Sequence, residues 1–255
     1  MEQEARQRNA RSFGAAAKHY DQARPGYPDE AIVWLLGTER RRVADIGAGT
    51  GIFSRQLAAS GHDVVPVEPD PGMRQRLADV SPALAPAAGS AESIPLPDAS
   101  VDAVTAAQAY HWFDPEPTHR EVARVLKPGG VFGPLWNVRD DEVSWVRELS
   151  RILDAAPGND GGDGGVHVAW QSTMGSFGPE FHPTERAVFH HSKPHTADSL
   201  VALVKSRSYY LTADADARAA LEAAVRELAT THPDLADQET FALPYVTVVY
   251  RARRR

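Results

Sequence analysis

The sequence predicts an α/β fold, a doubly wound and mostly parallel sheet covered by helices on both faces. Three observations carry this expectation. Apolar runs of strand length alternate along the chain with stretches of helical period. The clearest of these runs, Val43-Ala44-Asp45-Ile46, passes directly into Gly47-Ala48-Gly49-Thr50-Gly51 and then into a helix-forming segment. In such a strand, turn and helix, glycine lets the backbone come close to a nucleotide-like ligand. Finally, 255 residues with 42% hydrophobic and 24% charged side chains can bury the core that a sheet of this kind needs.

Taken in order, residues 28–37 predict a helix, with proline near its start and glycine at its end. Strand 43–46 and helix 52–60 follow. A second strand, Val64-Val65-Pro66-Val67, ends at Glu68, and a helix covers about 71–78. A weak strand is expected near 84–88, a fourth strand over 101–106, and a helix over 115–126 stopped by Lys127-Pro128-Gly129-Gly130. The fifth strand is expected over 131–136. Beyond Asp154 the glycine-rich run 157–165 predicts a loop, and 166–182 is irregular. A strand at 184–191, helices at 196–206 and 213–231, and a final strand at 243–250 complete the chain. One domain is expected, with an N-terminal helical cover (1–40), a core (41–140) and an inserted cap at about 150–182.

Composition excludes several function classes. The chain has no cysteine, so disulfides, thiolate metal sites and a cysteine nucleophile are absent. A formal net charge of −7 argues against broad electrostatic binding to nucleic acid or an anionic membrane. No apolar run approaches the roughly 18–20 residues that span a bilayer, and Met1 to Arg11 lacks the apolar stretch of a signal peptide. A cytoplasmic location is the simplest expectation. The cluster Arg251, Arg253, Arg254 and Arg255 reads as a solvated tail. His190, His191 and His195 invite a metal reading, but adjacent strand residues point to opposite faces and no acid cluster accompanies them, so no metal is expected.

The glycine spacing narrows the ligand. The dinucleotide fingerprint is G-x-G-x-x-G. Here the pattern is D-x-G-x-G-x-G, with Asp45 before the turn and the third glycine one residue early. No Lys-Ser or Lys-Thr pair follows, so the loop is not a Walker A motif. A nicotinamide oxidoreductase is thereby disfavoured. Glu68 ends the second strand 17 positions after Gly51, where an acid can accept both hydroxyls of a ribose.

Residues 43–51 resemble the first motif of class I S-adenosylmethionine (SAM)-dependent methyltransferases. Gly89 to Pro97 resembles the family segment whose Ala-Glu pair lies against adenine. Asp98 to Phe113 is similar to its fourth-strand motif, and Glu121 to Trp136 to its helix, Leu-Lys-Pro-Gly-Gly and fifth-strand block. The four signals fall in the family's order over about 43–137. Tyr20-Asp21-Gln22-Ala23-Arg24-Pro25 resembles the small-molecule subgroup that includes trans-aconitate methyltransferases, in which an N-terminal helix folds over the cofactor.

The resemblance implies a Rossmann-like, seven-stranded sheet with an antiparallel C-terminal strand. It also implies SAM as cofactor, S-adenosylhomocysteine as product and a small-molecule acceptor, with O, S, N or C as the attacking atom. The cofactor contacts it implies are Tyr20, Arg24, Asp45, Gly47, Ala48, Gly49, Gly51, Glu68, Pro69, Met73, Ala91, Glu92, Gln108 and Ala109. Tyr20 either faces the sulfonium or anchors a helix on the core. His111 is the candidate catalytic base, against a histidine that only hydrogen-bonds cofactor or backbone. Trp112, Trp136, Asn137, Trp170, Tyr209 and Tyr210 are candidate acceptor contacts. The alternative function is a catalytically silent SAM-binding regulatory protein. Oligomeric state is not legible. Glu68→Ala is expected to weaken cofactor binding and leave the fold intact.

Overall fold

The computed structural model describes residues 24–157, 159 and 174–255. Seven strands form one sheet: β1 (Arg42–Ile46), β2 (Asp63–Glu68), β3 (Ala87–Ala88), β4 (Val101–Ala107), β5 (Leu126–Arg139), β6 (Glu185–His195) and β7 (Phe241–Arg253). Their order is β3-β2-β1-β4-β5-β7-β6. The first five run parallel, and β7 is antiparallel to both β5 and β6. The expected mostly parallel sheet with an antiparallel C-terminal strand is therefore present. The reversal of strand order between β1 and β4 opens a crevice at their carboxyl ends, where ligands of such sheets bind.

Strand alternation decides which side each helix covers. Val43, Ala103, Val131 and Leu135 face α1 (Asp29–Leu36) and α2 (Ile52–Ala59), packing with Leu35, Leu36, Phe53 and Leu57. Their neighbours Ala44, Val104 and Phe132 face the other way, onto Val122 and Val125 of α4 (Pro115–Val125). Between these helices, α3 (Pro71–Val80) starts at Asp70, whose carboxylate accepts the Met73 N–H at 2.8 Å, a typical N-cap bond.

Several expectations need correction. Residues 144–154, not predicted as an element, form α5 (Ser144–Asp154), which buries Trp145, Val146, Leu149 and Leu153. Together with α6 (Ala197–Lys205), α8 (Ala215–Thr231) and the start of β7 it builds a separate apolar cluster. The short α7 (Ser208–Thr212) joins that cluster through Tyr209. β5 begins at Leu126 rather than Val131, because Leu126 pairs with Val101 and a register shift absorbs the Pro-Gly-Gly run. The weak third strand shrinks to two residues. Met174, Phe177 and Phe181 are buried with Tyr110 and Phe132 in the sheet core.

The terminal arginines are not a solvated tail. β7 runs to Arg253, Arg251 stacks over Trp34 at 4.2 Å and pairs with Glu185 at 2.6 Å, and Arg255 donates to the Phe181 carbonyl at 3.0 Å. Among the described residues, no helix is long and apolar enough to cross a membrane.

Candidate functional site

The glycine turn sits at the crevice between β1 and β4. Gly47 and Gly49 have φ of 65° and 57°, values that other residues rarely adopt. Their surroundings differ. A Cβ on Gly47 would stand 2.6 Å from the Ala109 Cβ and 3.2 Å from the Phe113 ring, so this glycine lets the turn pack on the segment after β4. Among the described residues, a Cβ on Gly49 would meet nothing within 4 Å. No described residue therefore covers the outward side of the turn.

Two carboxylates hold the turn from below. Glu68 accepts the Gly49 N–H on Oε2 at 2.8 Å and the Asp70 N–H on Oε1 at 2.9 Å. A carboxylate offers about four lone-pair positions, so acceptor capacity remains for a diol. Burial pushes the Glu68 carboxyl above the ordinary glutamate range, against the lowering effect of those two N–H groups. Asp45 is only 1% exposed. Its Oδ2 accepts the Ser54 hydroxyl at 2.6 Å and its Oδ1 the Thr105 hydroxyl at 2.8 Å. It braces β1 to α2 and β4 and shows little surface to a ligand. Burial lifts its carboxyl to about 6, with the two hydroxyls working the other way.

Sequence reading had not singled out Ser54 and Thr105. Thr105 was findable as a polar residue in an otherwise apolar stretch, Ala103 to Ala107. Ala48 donates its N–H to the Val67 carbonyl at 3.2 Å, tying the turn to β2. Pro69 follows Glu68 at the head of α3, and Met73 is buried beneath.

The segment after β4 lines the other wall. Gln108 has φ of 55°, unusual for a non-glycine residue. Its Nε2 donates to the Asn137 carbonyl at 2.8 Å and its backbone N–H to Leu135 at 2.9 Å. Strain of this kind persists where neighbours over-determine it. Half-buried His111 lies on the 3₁₀ turn Tyr110–Trp112, with its ring 4.7 Å from that of Trp112. The Trp136 indole N–H donates to His111 Nδ1 at 3.4 Å. With Nδ1 accepting, the neutral ring carries its proton on Nε2.

Segment 90–97 is fixed from α4. Arg124 donates to the Ile94 and Leu96 carbonyls, to Asp98 and to Glu121, all at 2.7–2.9 Å. Glu121 in turn accepts the Ile94 N–H at 3.0 Å. Ala91 is buried, and Glu92 accepts the Asp114 N–H at 2.9 Å. The motif block Glu121–Trp136 includes Arg124 but does not reveal this role, since its partners other than Glu121 lie 26–30 positions away.

Several candidate acceptor contacts are spoken for. Trp136 is 5% exposed, with its ring 6.2 Å from Tyr110 and 6.1 Å from Tyr250, and belongs to the core. Buried Asn137 donates from Nδ2 to the Gly26 carbonyl at 2.8 Å. Its Oδ1 accepts the Thr247 hydroxyl at 2.6 Å and lies 3.2 Å from His191 Nε2. It ties the sheet rim to the segment before α1. Tyr209 is buried in the α5–α6–α8 cluster, and Tyr210 bonds Glu222 there under Arg218. Both therefore belong to that cluster. Arg24 is half-buried, and its carbonyl accepts Lys193 Nζ at 2.9 Å. Tyr20 and Trp170 lie outside the described residues.

The three histidines of β6 diverge. His190 is 69% exposed beside Asp140, His191 meets Asn137, and buried His195 pairs with Ser199 at 2.9 Å. Among the described residues, no group of three or more His, Asp or Glu side chains could hold a metal ion.

Residues 44–133 match a family model described as a methyltransferase domain. The chain is 46% identical over 242 residues to an uncharacterized methyltransferase of Mycobacterium tuberculosis, covering 94% of this chain and 95% of that one. It is 32% identical to an uncharacterized methyltransferase-like protein of Schizosaccharomyces pombe, with 98% of each covered. Among solved structures, one described as a candidate type II methyltransferase from Anaeromyxobacter dehalogenans superposes with a TM-score of 0.66. Identity there is 26%, over 91% of this chain and 97% of that one.

Proposed function

Since the chain belongs to the class I SAM-dependent methyltransferases, we propose that it methylates a small-molecule acceptor at the rim of β1, β4 and β5. The observation that carries this reading is the open-sided turn at Gly49 with Glu68 bonded beneath it. That cradle fits the cofactor. Backbone without Cβ faces the ligand, and an acid with spare lone pairs stands where ribose hydroxyls arrive. Net charge of −7 favours a small acceptor over nucleic acid. The Tyr20–Pro25 signature supports the small-molecule subgroup that includes trans-aconitate methyltransferases. We take the chain as one domain.

Bound SAM supplies an electrophilic methyl group on a sulfonium. The protein's task is then to position a nucleophile in line, roughly 3 Å from that carbon, and to exclude water. Glu68 would bind the ribose hydroxyls. Gly47 to Gly51 would offer backbone, and Gln108, with its Nε2 engaged, would present Oε1 to the adenosyl group. Segment 90–97 would form the adenine wall, held by Arg124. Asp45 supports the turn rather than the ligand. His111 is best read as a donor through Nε2 that orients the acceptor, because the lone pair a base would use receives the Trp136 N–H. This favours an acceptor that attacks without giving a proton to a protein base, such as a carboxylate, a neutral amine or a thiolate.

Isothermal titration with SAM and S-adenosylhomocysteine tests the cofactor assignment, and absence of binding by both at millimolar concentration removes it. Turnover on a metabolite panel tests the acceptor class. Binding without transfer to any panel member would support the silent regulatory alternative.

A further inference from the structure

Asn137, near the end of β5, has a buried side chain bonded to three separate parts of the chain. The Gly26 carbonyl, in the segment before α1, can only accept, so it takes a proton from Nδ2, at 2.8 Å. That fixes the amide with Oδ1 on the other side. There the Thr247 hydroxyl of β7 donates at 2.6 Å, and His191 Nε2 of β6 lies at 3.2 Å. Desolvation holds the His191 imidazole below the ordinary histidine range, so the ring is neutral at pH 7. Facing an acceptor, its one proton sits on Nε2.

The backbone of the same residue reaches the crevice. The Asn137 carbonyl accepts Gln108 Nε2 at 2.8 Å. Gln108 holds its φ of 55° between this bond and the one from its N–H to the Leu135 carbonyl at 2.9 Å. Backbone in that region persists where neighbours over-determine it, and β5 supplies both ties.

The segment before α1 is gripped from the opposite wall as well. Gln56 of α2 accepts the Tyr27 N–H on Oε1 and donates from Nε2 to the Tyr27 carbonyl, both at 2.9 Å. A Cβ on Gly26 would stand 3.0–3.2 Å from that amide group, so glycine permits the close approach. The Tyr27 ring meets Phe53 of α2 edge-on at 4.8 Å. α2 is the helix that leaves the glycine turn. Gly26 and Tyr27 therefore bridge the helix behind the turn and the strand end that holds Gln108. Asn137 is the residue common to the bridge and the crevice.

From this network we infer that Asn137 is a positioning residue for the cofactor. It joins Gln108 and the Gly26–Tyr27 segment in one bonded unit, so that filling the crevice tightens the segment before α1. The inference rests on the methyltransferase reading. Coupling of this kind is reciprocal: a ligand that tightens the segment must itself bind more weakly once the segment is released.

The test measures amide exchange at Tyr27 in the full chain, with and without saturating S-adenosylhomocysteine, beside calorimetric titration of the same ligand. In the parent, the ligand should slow exchange of the Tyr27 N–H about threefold or more. Asn137→Ala should bind S-adenosylhomocysteine about tenfold more weakly, the scale of one or two lost neutral hydrogen bonds, and the slowing at Tyr27 should disappear. Thr247→Val keeps the shape of its side chain and removes the hydroxyl that orients the amide. It should at least halve the slowing, and it carries the test if Asn137→Ala does not fold.

A parent that binds S-adenosylhomocysteine with no change at Tyr27 would overturn the inference alone. So would a folded Asn137→Ala with a lowered Tm but unaltered affinity and slowing, which would assign Asn137 to packing β5 on β7. Unaltered slowing in Thr247→Val would overturn it too. A chain that never binds S-adenosylhomocysteine would fail the methyltransferase reading itself.

Discussion

Glu68 accepts the Gly49 backbone N–H at 2.8 Å, so the acid expected to read the ribose also holds the loop on which the cofactor would lie. This changes the consequence of removing it. The sequence suggested that Glu68→Ala would spare the fold, but the Gly49 and Asp70 N–H groups would both lose their partner.

Glu68→Gln is the milder variant, because it keeps the shape and one of the two N–H partners while removing the charge. Hydrogen bonds to a charged group are worth about 1.5–3 kcal/mol, so S-adenosylhomocysteine affinity should fall roughly 10- to 100-fold. In the parent, affinity should also fall on acidification, starting at a higher pH than for an ordinary glutamate, because burial raises this carboxyl. Calorimetry from pH 4.5 to 8 checks both. Equal affinity in the glutamine variant would place the ribose elsewhere.

Asp45 makes a stability prediction. Its carboxyl stands near 6 in the fold against 3.8 when unperturbed. Between those values the folded chain keeps a proton that the unfolded chain gives up. The stability this group contributes is therefore complete below about pH 4 and is lost as pH rises through 6. Asp45→Asn should cancel up to about 3 kcal/mol of that loss, less about 1 kcal/mol for re-formed hydroxyl bonds. The variant should gain on the parent between pH 4 and 7.5 in urea melts. A difference that does not vary with pH would mean Asp45 is not desolvated as described.

His195 makes the opposite slope. It is 2% exposed, and burial, with nearby Lys193, lowers its imidazole to about 4. Its contribution is complete above about pH 6.5 and is lost as pH falls through 4, by up to about 3 kcal/mol. His195→Gln should therefore lose less stability than the parent on going from pH 7 to 4.5. The Asp45 and His195 effects run against each other in the parent melt, so each must be read as variant minus parent. Parallel curves for His195→Gln would remove this assignment.

Much of the sheet was legible because its signals are local. The apolar run before Gly47 and the mostly apolar stretch Val101 to Ala106 each announce a strand within a few residues. The parts that were not legible depend on distant partners. Nothing near Arg251 reveals Trp34, and nothing near Asn137 reveals Gly26, Thr247 or His191. Trp136 reads as a ligand wall until Tyr110 and Tyr250 close around it. α5 is different, since its apolar spacing at 145, 146, 149 and 153 was present in the sequence and open to reading.

Gly47 and Gly49 separate folding from binding within one turn. Both have left-handed φ, for which an L-residue with a Cβ costs about 1–2 kcal/mol. Gly47→Ala adds an overlap at 2.6 Å with Ala109, and overpacking of that kind costs about 1–3 kcal/mol more. Gly49→Ala meets no atom of the described residues within 4 Å, so its methyl enters the space proposed for the cofactor. Gly47→Ala should therefore lower the Tm by more than Gly49→Ala. Gly49→Ala should lose at least tenfold in S-adenosylhomocysteine affinity at a small cost in Tm. Thermal melts and calorimetry on the two variants decide it. If Gly49→Ala binds as tightly as the parent, the open side of the turn does not face the adenosyl group, and the placement of the whole crevice would have to be redrawn.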